Sequence, residues 1–150
     1  MSFEEKTTWV SSVVTVLVLA VYSCFILGQL GTVPVTLIAY QWPMILTIAA
    51  IIGMTIVGTI LMSIAAAVSS GITGNDLVKE IDRTDERDRQ INLRGEQIGF
   101  YVSSIGALGV IALAMLRYDQ FWIANALYLT FMVGGLVSLV AKLIAYRRGF

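Results

Sequence analysis

The sequence predicts an all-α membrane protein: four transmembrane helices in an antiparallel up-down bundle, with a charged cytosolic helical extension before span three. Three observations predict it. Of 150 residues, 57% are hydrophobic and 13% are charged, against about 45–50% and about 25% in soluble domains. Four stretches, about 8–27, 43–68, 98–116 and 121–141, contain no Asp, Glu, Lys or Arg. Each supplies the roughly 20 residues that a hydrocarbon core of about 30 Å demands at about 1.5 Å per residue. One sizeable polar segment, about 69–97, separates the second run from the third. In hydrocarbon each backbone N–H and C=O must be paired within its own segment, so the runs are helices. A soluble fold with four such runs would have almost no polar exterior, and residues 1–150 read as one polytopic membrane domain.

The first span keeps its place at the N-terminal end. Its flank, Glu4-Glu5-Lys6, is not the positive n-region of a signal peptide, and the apolar run is too long for one. Val21-Tyr22-Ser23-Cys24 has the outline of a lipoprotein cleavage box, but its central aromatic and the acidic flank oppose cleavage. Ser2 and Glu5 have capping-box spacing. The uncharged stretch 28–41, with Gly31 and Pro34, is expected to lie against the membrane surface. Pro43 suits the first turn of the second helix, where its missing N–H costs nothing. Ser69-Ser70-Gly71-Ile72-Thr73-Gly74-Asn75 reads as a helix stop and turn. Asn75 or Asp76 then caps a short amphipathic stretch carrying Leu77, Val78 and Ile81, and Thr84 offers a second cap. From Asp85 a charged helix is expected to run on into span three. The turn Arg117-Tyr118-Asp119-Gln120 is so short that spans three and four must be antiparallel neighbours, with Asp119 as N-cap of the fourth.

Orientation follows from the basic residues. Of the ten, only Arg117 falls at the ends of spans one-two and three-four; Lys6, the cluster from Lys79 to Arg94, and Lys142, Arg147 and Arg148 share the other side. That side is predicted to be cytoplasmic, with both termini on it. Aromatic side chains at headgroup level agree: Tyr40, Trp42, Tyr118, Phe121 and Trp122 at the outer ends, and Phe3, Trp9, Phe100, Tyr101 and Tyr146 at the inner ends.

Helices in lipid associate by close backbone approach, because the surrounding tails are as apolar as Leu. Two stripes of small residues at four-residue spacing are therefore candidate packing faces: Thr55, Thr59, Ser63 and Ala67 on the second helix, and Gly95, Gly99, Ser103 and Ala107 on the third. Gly134-Gly135 offers a further close contact on the fourth. Asn125 is the most polar side chain within a span and reads as an interhelical hydrogen-bonding residue. Trp9-Val10-Ser11-Ser12-Val13 and Tyr101-Val102-Ser103-Ser104-Ile105 echo each other, but five positions in so biased a composition do not establish a tandem repeat.

The chemistry is mostly exclusion. The chain has no His, and Cys24 is its single cysteine, so His-based catalysis, Cys–His pairs and Cys/His zinc sites are absent. No cofactor or metal is expected, and no enzymatic activity. Ten Lys+Arg balance ten Asp+Glu, which gives nucleic acid no electrostatic foothold. Transporters and proton relays place ionisable groups inside the spans, and these spans have none. The acids Asp82, Asp85, Glu86 and Asp88 are interleaved with Arg83, Arg87 and Arg89, so they read as a solvated, internally paired helix rather than a cation site. That leaves Asp85, Glu86, Arg87, Asp88 and Arg89 as a candidate partner-docking surface, for a cytosolic regulator or a membrane-complex partner. The alternatives are a structural accessory subunit of a larger membrane complex and, third, a small oligomeric transporter or channel; homo-oligomers are compatible with each.

The segment Asp85-Glu86-Arg87-Asp88-Arg89-Gln90-Ile91 before an apolar hairpin resembles one found in a group of small bacterial integral membrane proteins of uncharacterised function. The likeness extends to Phe121-Trp122-Ile123-Ala124-Asn125-Ala126-Leu127-Tyr128 and to the Ala145-Tyr146-Arg147-Arg148 ending. It implies a multi-span protein of the bacterial inner membrane, with no activity or ligand to carry over. Genes of some such proteins are thought to lie beside small transcription regulators, which favours cytosolic docking.

Overall fold

The computed structural model describes residues 3–72 and 76–148, with the side chains of 3–4, 6, 59, 62–63, 65–72 and 76–85 outside that description. Four long helices carry the chain: α1 (Phe3–Gln29), α2 (Gln41–Ile72), α3 (Asp76–Met115) and α4 (Gln120–Arg148). All four are long and apolar enough to cross a membrane. The chain is a multi-pass integral membrane protein with an all-α fold, and the described residues contain no strand. Packing runs in the order α3, α4, α1, α2, so α4 is shared by both of its neighbours and α2 sits at the edge on α1.

The α3–α4 hairpin turns through four residues, Leu116 to Asp119. Arg117 adopts a left-handed backbone with φ 57°. Its N–H donates to the Ala114 carbonyl at 3.0 Å, and the Tyr118 N–H donates to the Leu113 carbonyl at 3.2 Å. This is the Schellman arrangement, which satisfies the last carbonyls of α3. The position usually takes glycine, so arginine here carries a backbone cost of about 1 kcal/mol. Asp119 stands immediately before α4, and its carbonyl accepts from the Trp122 and Ile123 N–H groups.

Helices α3 and α4 then close on each other through small residues. A β-carbon at Gly99 would lie 2.7 Å from the Gly134 carbonyl oxygen and 2.8 Å from Ser138 Cβ. At Gly134 it would collide with the Ser103 hydroxyl, at Gly106 with Thr130, and at Gly95 with the stem of Lys142. The α4 side of this seam, Thr130, Gly134, Ser138 and Lys142, is itself a four-residue repeat. Lys142 lays its methylenes over Gly95 and carries its ammonium to Glu96 at 3.4 Å. Long basic side chains near membrane boundaries extend in this way.

On its other face α4 presents Phe121, Asn125 and Tyr128, all buried, at the i, i+4, i+7 spacing of one helix stripe. They pack with Tyr22 and Ile26 of α1 and with Ile38 and Tyr40 from the connection between α1 and α2. That connection holds a 3-10 turn at Val35–Leu37 and sends Ile38, only 4% exposed, into the cluster. It is tied down over the helix ends rather than merely resting on the membrane surface. Two of the expected headgroup anchors also turn inward. Tyr40 and Phe121 meet edge-to-face at 5.3 Å and are buried, whereas Trp42, Tyr118 and Trp122 stay exposed. Burial of two large rings in protein contact outweighs placing them at the interface.

Pro43 lies in the first turn of α2, where the Met44 N–H donates to the Tyr40 carbonyl. The expected second cap at Thr84 is not used: α3 is one helix of 40 residues through that position. Once a helix is running, propagation through a Thr costs only tenths of a kcal/mol, and a cap residue is no reason to stop. The Ser2 cap and the turn at Thr73, Gly74 and Asn75 lie outside the described residues.

Candidate functional site

At about 1.5 Å per residue, the 40 residues of α3 measure about 60 Å. Its uncharged part, 97–115, accounts for about 30 Å, one bilayer core. The remainder is continuous with that span and projects beyond it as a charged rod. Within the predicted docking run, the structure sorts the residues by face. Glu86, Arg87, Arg89 and Gln90 are exposed, while Asp88 and Ile91 are buried, at 7% and 1% exposure. Asp88, Ile91, Gly95 and Gly99 follow one another at helical spacing, so the inward face of the rod continues the seam against α4. Among the described residues of that run, the outward-facing charges are thus Glu86, Arg87 and Arg89, and Asp88 is turned inward. The side chains of Asp82 and Asp85 lie outside the described residues. Among the described residues, no group of three or more His, Cys, Asp or Glu side chains is placed to hold a metal ion.

Gly95, Gly99 and Ser103 all face α4 of the same chain. Thr55 is exposed on α2, and its hydroxyl donates to its own Ile51 carbonyl at 2.8 Å. The side chains of Thr59 and Ser63 lie outside the described residues. Beside Thr55 runs an open groove of about 590 Å³ between α1 and α2, walled by Val10, Val14, Ile51, Met54, Val57 and Leu61. Thr15, at its edge, donates to the Ser11 carbonyl at 2.8 Å. With these hydroxyls satisfied inside their own helices, the described lining is mostly apolar, Thr7 and Ser11 adding two further hydroxyls.

Asn125 finds a partner that sequence reasoning missed. The Tyr22 hydroxyl donates to Asn125 Oδ1 at 2.7 Å, and Asn125 Nδ2 donates to the Phe121 carbonyl at 2.8 Å. Tyr22 also packs on Tyr128, with ring centroids 4.5 Å apart. The available signal was simple: a buried amide in a span needs a hydrogen-bonding partner, and Tyr22 lies in the later half of span one, level with Asn125 near the start of span four. At the opposite end, the Arg147 guanidinium stands 5.6 Å from the centre of the Trp9 ring, a second α1–α4 tie of cation–π type.

No protein-family model, curated protein or solved structure matches the chain.

Proposed function

We propose that this chain is a non-enzymatic membrane protein that docks a partner through the projecting, charged half of α3. The observation that supports the reading is the continuity of α3: a helix anchored by one bilayer-length half holds the other half rigid. Exposed Glu86, Arg87 and Arg89 then form a mixed-charge surface with little conformational entropy to lose on binding. On this reading the partner is a cytosolic protein, and the charged rod and both ends of the chain are cytoplasmic. The one-sided distribution of Lys and Arg supports that orientation.

Two outcomes test it. With Cys24, the single cysteine, replaced by Ala, a membrane-impermeant maleimide should label Tyr118→Cys in intact cells and leave Gln90→Cys unlabelled until the membrane is opened; the reverse pattern overturns the orientation. Replacing Arg87 and Arg89 together by Glu should cut partner recovery at least about tenfold, the value of roughly 1.4 kcal/mol of lost charge complementarity. Both side chains are exposed, so the unfolding midpoint should not move. Unchanged recovery would remove the docking role.

The accessory-subunit reading places the contact elsewhere. Gly99 and Ser103 are consumed inside the hairpin, so their substitution reports folding rather than assembly. The uncovered apolar length of α2, where Ile45, Leu46, Ile52, Ile56 and Ile60 are all more than half exposed, is the surface left for a larger complex.

A further inference from the structure

A second opening lies within the α3–α4 pair, near its charged end. It is a cleft of about 260 Å³ lined by Ile91, Arg94, Gly95, Ile98, Ile144 and Arg148, with two alanines completing the wall. We propose that this cleft seats an anionic phospholipid, its phosphate held by the Arg94 and Arg148 guanidiniums and one acyl chain laid along Ile98 and Ile144. The proposal rests on the membrane reading of the helices and not on the docking role.

The argument is one of register. Arg94 and Ile98 are four residues apart on α3, and Ile144 and Arg148 are four apart on antiparallel α4. Each helix therefore puts a guanidinium at one level and an isoleucine one turn, about 6 Å, closer to the bilayer centre. The two arginines are exposed, and the two isoleucines are 44% and 47% exposed. A phospholipid has the same order, phosphate outermost and hydrocarbon beneath. The rest of the wall is made of small residues, Gly95, Ala141 and Ala145. Ile91, 1% exposed, adds an apolar wall at the charged end. No carboxylate is among the described residues that line the cleft. The nearby Glu96 is paired with Lys142 and does not face the opening. Guanidinium groups match phosphate oxygens with parallel N–H donors, and basic pockets between spans at the membrane boundary are suited to anionic headgroups. A free phosphate ion would use the arginines and leave the apolar half of the cleft without purpose.

The test uses the full-length protein in a neutral detergent, titrated separately with phosphatidylglycerol, with phosphatidylcholine of the same chains, and with inorganic phosphate. Bound lipid is counted by native mass spectrometry and the unfolding midpoint is followed in parallel. Phosphatidylglycerol should bind at least about tenfold tighter than phosphatidylcholine and raise the midpoint, while phosphate at equal concentration should not. Arg148→Gln alone, in the last turn of α4, should weaken phosphatidylglycerol about fivefold, and adding Arg94→Gln about fivefold more, the effect of roughly one lipid-facing cation each. Equal binding of the two lipids overturns the proposal, as does an unaltered affinity in Arg148→Gln. A midpoint shift reproduced by inorganic phosphate overturns it in favour of a simple anion site. The lipid comparison is made on the unaltered chain, so it decides even if the double variant does not fold. None of these results bears on Arg87 and Arg89, so the docking reading stands or falls separately.

Discussion

Placing a single methyl group on Gly99 is expected to cost about 2–3 kcal/mol, the upper part of the usual overpacking range, and leucine there should prevent the α3–α4 hairpin from closing. The reason is what the new atom meets. A β-carbon at Gly99 would sit 2.7 Å from the Gly134 carbonyl oxygen, with Gly134 C at 3.5 Å, and backbone cannot swing aside as a side-chain tip can. Relief requires α3 and α4 to separate along the whole seam, which removes the close van der Waals approach that holds helices together in lipid. Gly95→Ala should be milder, at about 1–2 kcal/mol, because the Lys142 side chain that blocks most of the space can turn, while the Ser138 carbonyl oxygen lies farther off, at 3.0 Å. Gly53→Ala and Gly58→Ala, where nothing lies within 4 Å of the added atom, should leave stability within about 0.5 kcal/mol of the parent. Equilibrium unfolding in mixed detergent micelles gives the ranking. A Gly99→Ala variant as stable as Gly53→Ala would show that the seam does not close as described.

The same residues show what could be read in the sequence and what could not. The absence of charge over four runs dictated the spans, because hydrocarbon penalises any charged side chain and enforces a helical backbone whatever its detailed sequence. The four-residue repeat of Gly95, Gly99 and Ser103 was visible for a related reason: few residues permit close helix approach, so their periodicity stands out. Its complement on α4 was legible only at Gly134. Thr130, Ser138 and Lys142 are not distinguished by composition, and the pairing of two stripes is a tertiary fact. Helix ends were the weakest readings. Thr84 is a good cap in isolation, yet α3 continues through it, because a helix stops where continuation is unfavourable and not wherever a cap is available. Within the docking run, spacing alone could place the five charged residues on a helix but could not fix its rotation. The α4 seam fixes it, burying Asp88 and leaving Glu86, Arg87 and Arg89 outward. The fold of Ile38, Tyr40 and Phe121 over one another was hidden for another reason. An aromatic next to a span end is compatible with both headgroup and protein contact, and only the path of the connecting segment decides.

The link between Tyr22 and Asn125 yields the second large effect, and its size depends on whether one partner or both are removed. Asn125→Leu leaves the Tyr22 hydroxyl facing an apolar side chain, in a cluster where the buried Tyr128 hydroxyl already has no hydrogen-bond partner among the described residues. An unsatisfied buried polar group costs about 1–3 kcal/mol, although membrane measurements of interhelical hydrogen bonds fall nearer 0.6 with a maximum of about 1.7. Asn125→Leu should therefore destabilise by about 1–2 kcal/mol. Tyr22→Phe should cost about 1 kcal/mol or less: it leaves Asn125 Oδ1 unmatched, but Nδ2 still donates to the Phe121 carbonyl. Removing both partners together strands neither, and replacement of both by apolar groups is close to neutral. The double variant should then be more stable than the sum of the two single losses predicts, by about 1 kcal/mol in a double-mutant cycle. Purely additive losses would mean that the 2.7 Å contact contributes nothing specific and that α1 is held to α4 by ring packing alone, with Tyr22 stacked on Tyr128 and Trp9 under Arg147.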